Sequence, residues 1–294
     1  MIKLALSAVE LAIGEPITPL LEMATKHGVQ WIELWYPGGF RAEGRDRTVS
    51  RIREAGVGVA SVASGTSLVR DGSVHHHQTR LIEAIELAHD LGAGYANTYF
   101  GFRSWRDDDG SIELYAQNIR PCLRRAEELG VVITLENEFD GIGKDSTGSD
   151  ITRRPEAVLR LMEVVDSPHL RLTFDACNFY FAGAEPFPQS YEMLRPYIAY
   201  VHAKDGRCTG EARSTDTGWT QFIDTGRHYA TCPLGEGGVN WLGLLHRLVA
   251  DGYQGFLTLE PHASPENRTA AWEHAIKTVG EWMPDSLTRC PSVL

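Results

Sequence analysis

The chain alternates short apolar runs with longer stretches in which apolar residues return every three or four positions. The short runs are Lys3–Ser7, Trp31–Trp35, Val57–Val62, Tyr95–Tyr99, Val131–Glu136, Leu170–Asp175, Ile198–His202 and Gly255–Glu260. They are rich in β-branched and aromatic residues, as expected of strands covered on both faces. Between them Ile17–His27, His77–Leu91, Ser111–Leu129 and Pro155–Val165 read as helices. Pro155 sits in a first-turn position, where its missing N–H costs little, and Leu91-Gly92 and Leu129-Gly130 read as helix ends closed by glycine. Strands joined by helical crossovers make an α/β protein with a parallel sheet. Eight is the number that closes such a sheet, so the pattern predicts a (β/α)8 TIM barrel. No linker divides it: residues 1–283 form a single domain, and residues 284–294 read as a tail.

Two segments exceed a minimal barrel. Asn137–Arg153 follows the fifth strand and is rich in Gly, Asp and Ser; Ala203–Val239 follows the seventh and carries little periodicity. Both read as long loops after the C-terminal ends of strands, where barrels build their active sites.

Composition narrows the classes. At 294 residues and 43% hydrophobic the chain can bury a sizeable core, and no apolar run approaches the roughly 20 residues that cross a bilayer. Glu10 and Glu15 follow the first apolar stretch too soon for a signal peptide, so a cytoplasmic protein is expected. The formal net charge of −11 opposes attraction to phosphate backbones, and neither a nucleic-acid nor a membrane partner is expected. Cys122, Cys177, Cys208, Cys232 and Cys290 are scattered without a CxxC pair, which indicates neither a disulfide framework nor a thiolate zinc site.

Candidate chemistry lies at four strand ends, where apolar runs stop on Glu136, Asp175, His202 and Glu260. A lone charge ending a core run is costly unless paired or coordinated. Four on consecutive strands converge on one barrel mouth, where three carboxylates repel one another without a cation between them. Oxygen-rich ligands with one imidazole suit one divalent metal ion: Mn2+ or Mg2+ first, with Co2+ and Zn2+ also fitting.

The segments LENE, FDACN, HAKD, LGEGGVNW and LTLEPH make the chain resemble the sugar phosphate isomerase/epimerase family with the xylose isomerase-like barrel. The resemblance runs from about Lys3 to about Trp282. It implies that Glu136, Asp175, His202 and Glu260 bind one divalent metal, that the substrate is a small carbohydrate, and that the protein is a homo-oligomer, dimer or tetramer. The family holds ketose epimerases, isomerases, dehydratases and lyases. Its ketose epimerases usually carry a histidine three residues after the strand-six aspartate, where Asn178 stands here. Related apurinic-site endonucleases also use a histidine there, within a three-zinc cluster, so the same residue argues against a nuclease.

The expected reaction is isomerisation or epimerisation of a keto-sugar or related polyol through a metal-stabilised enediolate, with Glu136 and Glu260 as acid/base pair and Lys204 donating to the developing oxygen. Loss of a β-hydroxyl or an aglycone from the same intermediate would make the protein a lyase or dehydratase. A non-catalytic binding subunit would hold metal but exchange no substrate proton. Glu33, Asn97, Asn178, Arg207 and His262 are the expected substrate-binding residues, and Trp35, Phe100 and Trp105 are candidates for the mouth lining. His75-His76-His77 reads as a solvated helix start, because neighbours on a helix point about 100° apart. The turn Gly235–Gly238 sits where barrels often hold phosphate, but Glu236 would repel one, which favours an unphosphorylated substrate and a shaped turn ahead of a helix cap at Asn240.

Overall fold

The computed structural model describes residues 1–11, 14–69, 72–101, 108–139, 150–212, 214–224, 226–283, 285 and 287–288. Seven parallel strands open the barrel: β1 (Ile2–Ser7), β2 (Trp31–Tyr36), β3 (Gly58–Ser67), β4 (Tyr95–Tyr99), β5 (Val132–Glu136), β6 (Leu170–Asp175) and β7 (Ile198–Ala203). A separate antiparallel sheet follows, of β8 (Asp205–Gly210), β9 (Gln221–Asp224) and β10 (Arg227–Cys232). The eighth barrel strand is β11 (Phe256–Leu259). It pairs with both β7 and β1 and closes the ring, with Leu6 in register with Leu259. The predicted eight-stranded barrel is present as a single TIM-barrel domain. Of the predicted tail, β12 (Leu287–Thr288) pairs with the start of β1. The remainder from residue 289, including Cys290, lies outside the described residues, as does Trp105.

The helices are α1 (Thr18–Lys26), α2 (Arg45–Glu54), α3 (Val74–Asp90), α4 (Asp108–Leu129), α5 (Pro155–Val165), α6 (Ala176–Phe181), α7 (Tyr191–Leu194), α8 (Trp241–Ala250) and α9 (Arg268–Trp282). Gly92 and Gly130, at φ of 69° and 67°, adopt the left-handed conformation expected just past a helix end. Asn240 caps α8 by accepting from the Gly243 N–H at 3.0 Å. No helix among the described residues is long and apolar enough to cross a membrane.

The main core fills the layer between strands and helices. A smaller cluster of Ala5, Ala60, Tyr200 and Phe256, flanked by Trp31 and Tyr95, plugs the barrel toward the strand starts. Lys3 places its ammonium 5.8 Å from the Trp31 ring centre and 5.0 Å from that of Phe256. One end of the barrel is therefore closed by aromatic packing, and polar side chains are left to the other.

Three sequence expectations change. Ala203–Val239 is not a plain loop: β8–β10 lie within it, in register at Tyr229↔Cys208 and Tyr229↔Phe222. Its strands are short and carry many polar residues, which hides the alternation. His77 is buried rather than solvated and accepts the Ser67 N–H at 3.2 Å, while His75 and His76 stay exposed. Phe100 stacks on Tyr115 at 5.3 Å and is fully buried in the core, not at the mouth.

Candidate metal centre

Each residue of the centre lies at, or within one residue of, the C-terminal end of a barrel strand. Glu136 closes β5, Asp175 closes β6, His202 lies next to last in β7, and Glu260 follows β11. Register sets Asp175 and Thr258 level with His202 on either side. One donor atom from each of Glu136, Asp175, His202 and Glu260 falls within 4.8 Å of the others, and all four residues are buried. Metal–ligand bonds of about 2.0–2.3 Å nearly span that spread.

The polarity of the imidazole is set by its neighbours. His202 Nε2 meets both Glu33 oxygens at 3.2 and 3.3 Å, and Nδ1 faces Glu136 Oε1 at 3.1 Å and Glu260 Oε2 at 3.5 Å. Nε2 is thus the nitrogen turned to Glu33. Nδ1 is thereby the nitrogen turned to the cluster, in the carboxylate–histidine arrangement that orients metal ligands. Ser7 Oγ donates to Glu33 at 3.1 Å and braces it.

The carboxylates are oriented as well. Asn97 donates to Glu136 Oε2 at 2.8 Å, and its carbonyl oxygen accepts from Thr134 at 3.3 Å and Thr173 at 3.2 Å. Asp175 caps α6 by accepting the Asn178 N–H on Oδ1 at 2.8 Å. Its other oxygen, Oδ2, is buried and accepts no well-formed hydrogen bond, although the Lys204 ammonium stands 2.9 Å away. Lys204 also lies 3.7 Å from Glu260. Asn178 donates to the Asn137 carbonyl at 2.9 Å and approaches Glu136 Oε1 at 3.5 Å.

Burial would lower the Lys204 and His202 pKa values, but Asp175 and Glu260 raise Lys204 well above its usual value, as Glu136, Glu33 and Glu260 do for His202. Burial pushes Glu136 up in spite of His202. It would raise Glu260 too, yet His202, His262 and Lys204 hold Glu260 below the ordinary carboxylate range. Four carboxylates (Glu33, Glu136, Asp175, Glu260) thus meet two basic side chains within the buried site. That excess of carboxylates, in a set of oxygen donors with one imidazole, fits a divalent cation held by the four residues.

The expected substrate-binding residues divide. Glu33, Asn97 and Asn178 contact members of the candidate ligand group, and His262 Nε2 lies 3.3 Å from Glu260 with its side chain 26% exposed. Arg207 stands exposed on β8, opposite Ala230. Trp35 is half-buried against Tyr99 at 6.3 Å.

The Gly235–Gly238 turn is already filled. Asp205 accepts the N–H groups of Gly206, Gly235, Gly237 and Val239 at 2.9–3.3 Å, so a protein carboxylate occupies the anion-binding concavity. A Cβ at Gly237 would fall 2.0 Å from Asp205 Oδ1, and only glycine fits there.

Sequence reasoning missed Ser7, Asn137 and the roof. Asn137 exchanges two hydrogen bonds with the Asp175 backbone, both at 2.9 Å. Ser7, a polar residue ending an apolar run, carried the same signal as the four ligands. The roof is aromatic: Phe222 of β9 packs on Phe139 at 5.2 Å, Phe181 at 5.5 Å and His262 at 6.2 Å. Arg153 ties the roof down through buried Asp224 at 3.0 Å.

Glu33→Gln is expected to weaken divalent-metal affinity about 10–100-fold, because a carboxamide no longer enforces the Nε2–H tautomer. Isothermal titration calorimetry reads this directly; unchanged affinity would remove Glu33 from the arrangement.

The model of a family described as Xylose isomerase-like TIM barrel matches residues 21–284. The Rhizopine catabolism protein MocC of Rhizobium meliloti is 27% identical over 154 residues, 52% of this chain and 43% of that protein. The chain spans less than half the length of the curated relatives it matches. Among solved structures, the probable 3-DHS dehydratase AsbF of Bacillus anthracis superposes with a TM-score of 0.72 at 16% identity, covering 95% of this chain and 98% of that one. The 3-keto-D-glucoside 4-epimerase YcjR of E. coli superposes at 0.71 with 15% identity, covering 97% and 100%. At such identities the likeness shows the fold alone.

Proposed function

The chain belongs to the xylose isomerase-like TIM barrel family, and from that premise we propose that it is a divalent-metal-dependent isomerase or epimerase of a small keto-sugar or related polyol. The observation that carries the reading is the buried group of Glu136, Asp175, His202 and Glu260, whose donor atoms lie within 4.8 Å of one another. A divalent cation bound there supplies a Lewis acid for a carbonyl oxygen and its neighbouring hydroxyl.

The protein's own part is to move a proton. Glu136 and Glu260 come from β5 and the end of β11, strands on different sides of the ring, so they approach a bound substrate from two directions. Removal of the proton α to the carbonyl by one, and delivery of a second proton to the opposite face by the other in its protonated form, inverts the carbon. Return by the same group to the adjacent carbon shifts the carbonyl instead. Lys204 remains an ammonium and donates to the oxygen on which negative charge grows. Asp205 in the Gly235–Gly238 turn supports an unphosphorylated substrate, since a phosphate would have to displace a fixed carboxylate.

A lyase or dehydratase is the second reading, favoured by Asn178 at the position where ketose epimerases carry histidine. With a hydroxyl β to the carbanion, the buried Lys204 ammonium would protonate the leaving group in place of the enolate oxygen.

The test is to incubate the metal-loaded protein in D2O with ketoses, inososes and 3-keto-sugars. Deuterium next to the carbonyl, with mass otherwise conserved, supports the isomerase or epimerase. Loss of water or of an aglycone moves the assignment to a lyase. Absence of both would overturn the enzymatic reading.

A further inference from the structure

The seam that closes the barrel joins β1 to β11, and just beyond it two distant turns meet. The chain leaves β1 through a 3-10 turn, Ala8–Glu10, capped by Ser7. It leaves β11 through Glu260, Pro261 and His262. Buried Glu10 spans the gap: Oε1 accepts the His262 N–H at 2.6 Å and Oε2 the Ala263 N–H at 3.2 Å. Two successive amides closing on one anion form a concavity that needs a left-handed residue, and His262 has φ of 51°. A side-chain-bearing residue holds that conformation only where its surroundings impose it.

They do so from both sides. The His262 carbonyl accepts from the Thr220 N–H at 3.0 Å and from Thr231 Oγ1 at 2.8 Å, which ties the same peptide to the roof sheet. Arg268 Nη1 donates to the Glu10 carbonyl at 2.9 Å and fixes the turn that carries the clamp. With its backbone held, His262 lays its imidazole between Phe222 and Glu260 and keeps about a quarter of its side chain exposed. Among the described residues, the hydrogen bonds of the Glu10 carboxylate are the two of this clamp.

We propose that Glu10 is a positioning residue: its carboxylate fixes the His262 backbone so that the imidazole meets Glu260 and presents a hydrogen-bonding edge to a substrate hydroxyl. This rests on the reading of Glu260 as part of the catalytic centre.

Glu10→Ala and His262→Ala are each expected to lower kcat/KM about tenfold, and the double variant also about tenfold rather than a hundredfold. Glu10→Gln, which keeps one acceptor oxygen, is expected to recover part of the loss. Independent, multiplying losses would overturn the proposal, because a merely structural Glu10 would act equally with or without the imidazole. NMR of the metal-free, substrate-free protein gives a readout besides activity. In Glu10→Ala the His262 amide proton should move upfield as its short bond to the carboxylate is lost, and the His262 ring resonances should move with it. Unchanged ring resonances would overturn the proposal as well. Because the spectra need no substrate, a protein that turns over no sugar would remove the isomerase reading while leaving the placement of His262 to be judged separately.

Discussion

Glu136→Gln and Glu260→Gln are each expected to lower turnover about 10^3-fold, within the range of positioned acid/base groups. Glutamine keeps the shape of the side chain and one acceptor oxygen, so Asn97 can still reach position 136 and His262 position 260. What disappears is the negative charge and the ability to take up and return a proton. Each glutamate is also a proposed metal ligand, so turnover has to be measured over a metal titration. A loss that persists at saturating metal, with metal content restored, belongs to proton transfer; one that metal reverses belongs to ligation alone. The two positions also bear differently on the reaction. If the two protons pass through different groups, the variant lacking the donor will still exchange deuterium into substrate while losing product formation; if both pass through one group, the variant lacking the other keeps exchange and product together. A double variant turning over near the wild-type rate would sink the assignment.

Removing divalent metal is expected to lower the thermal midpoint by roughly 5–10 °C relative to protein with metal at a hundredfold over its dissociation constant. Binding at that ratio adds about 2.7 kcal/mol to the folded state. For a chain of this length each kcal/mol moves the midpoint by about 2–4 °C. The physical source is the excess of buried carboxylates over cations, which a bound ion relieves and a chelator restores. Differential scanning fluorimetry with Mn2+, Mg2+, Co2+ or Zn2+, each against a chelated control, reads the shift. Asp175→Asn is the matched control, because asparagine can still cap α6 through its carbonyl oxygen while losing the anionic Oδ2. The variant should fold and lose most of the metal-dependent shift. No shift with any of the four ions would overturn the metal centre.

Much of the fold and half of the centre were legible because both follow from local pattern. Apolar runs at barrel spacing set eight strands. A parallel barrel has its strand ends on one face, so four polar residues at consecutive strand ends had to come together whatever the loops did. Ser7 carries the same signal more faintly, since a serine is a weaker departure from an apolar run than a carboxylate.

Other features left no local trace. The roof strands β8–β10 pair with one another, and they are short and rich in polar residues, so Phe222 and Tyr229 look like loop residues. The Gly235–Gly238 turn looked like a shaped turn, but nothing near it indicates that its amides close on Asp205, some 30 residues earlier. Glu33 and Asn97 were visible as polar residues inside strands. Their partners, His202 and Glu136, were not, because register and side-chain direction exist only once the barrel has closed.

The sequence by itself determined the parallel strands, the end of the barrel at which the chemistry gathers, and the kinds of donor present there. These depend on hydrophobic period and on where a run stops, which are properties of neighbouring residues. Only the tertiary structure decided which nitrogen of His202 faces the cluster, which Asp175 oxygen is left without a hydrogen bond, and that Glu10 reaches the His262 backbone 252 residues away. Those depend on distances of a few ångströms across the barrel, which closure of the β1–β11 seam creates and no local pattern encodes.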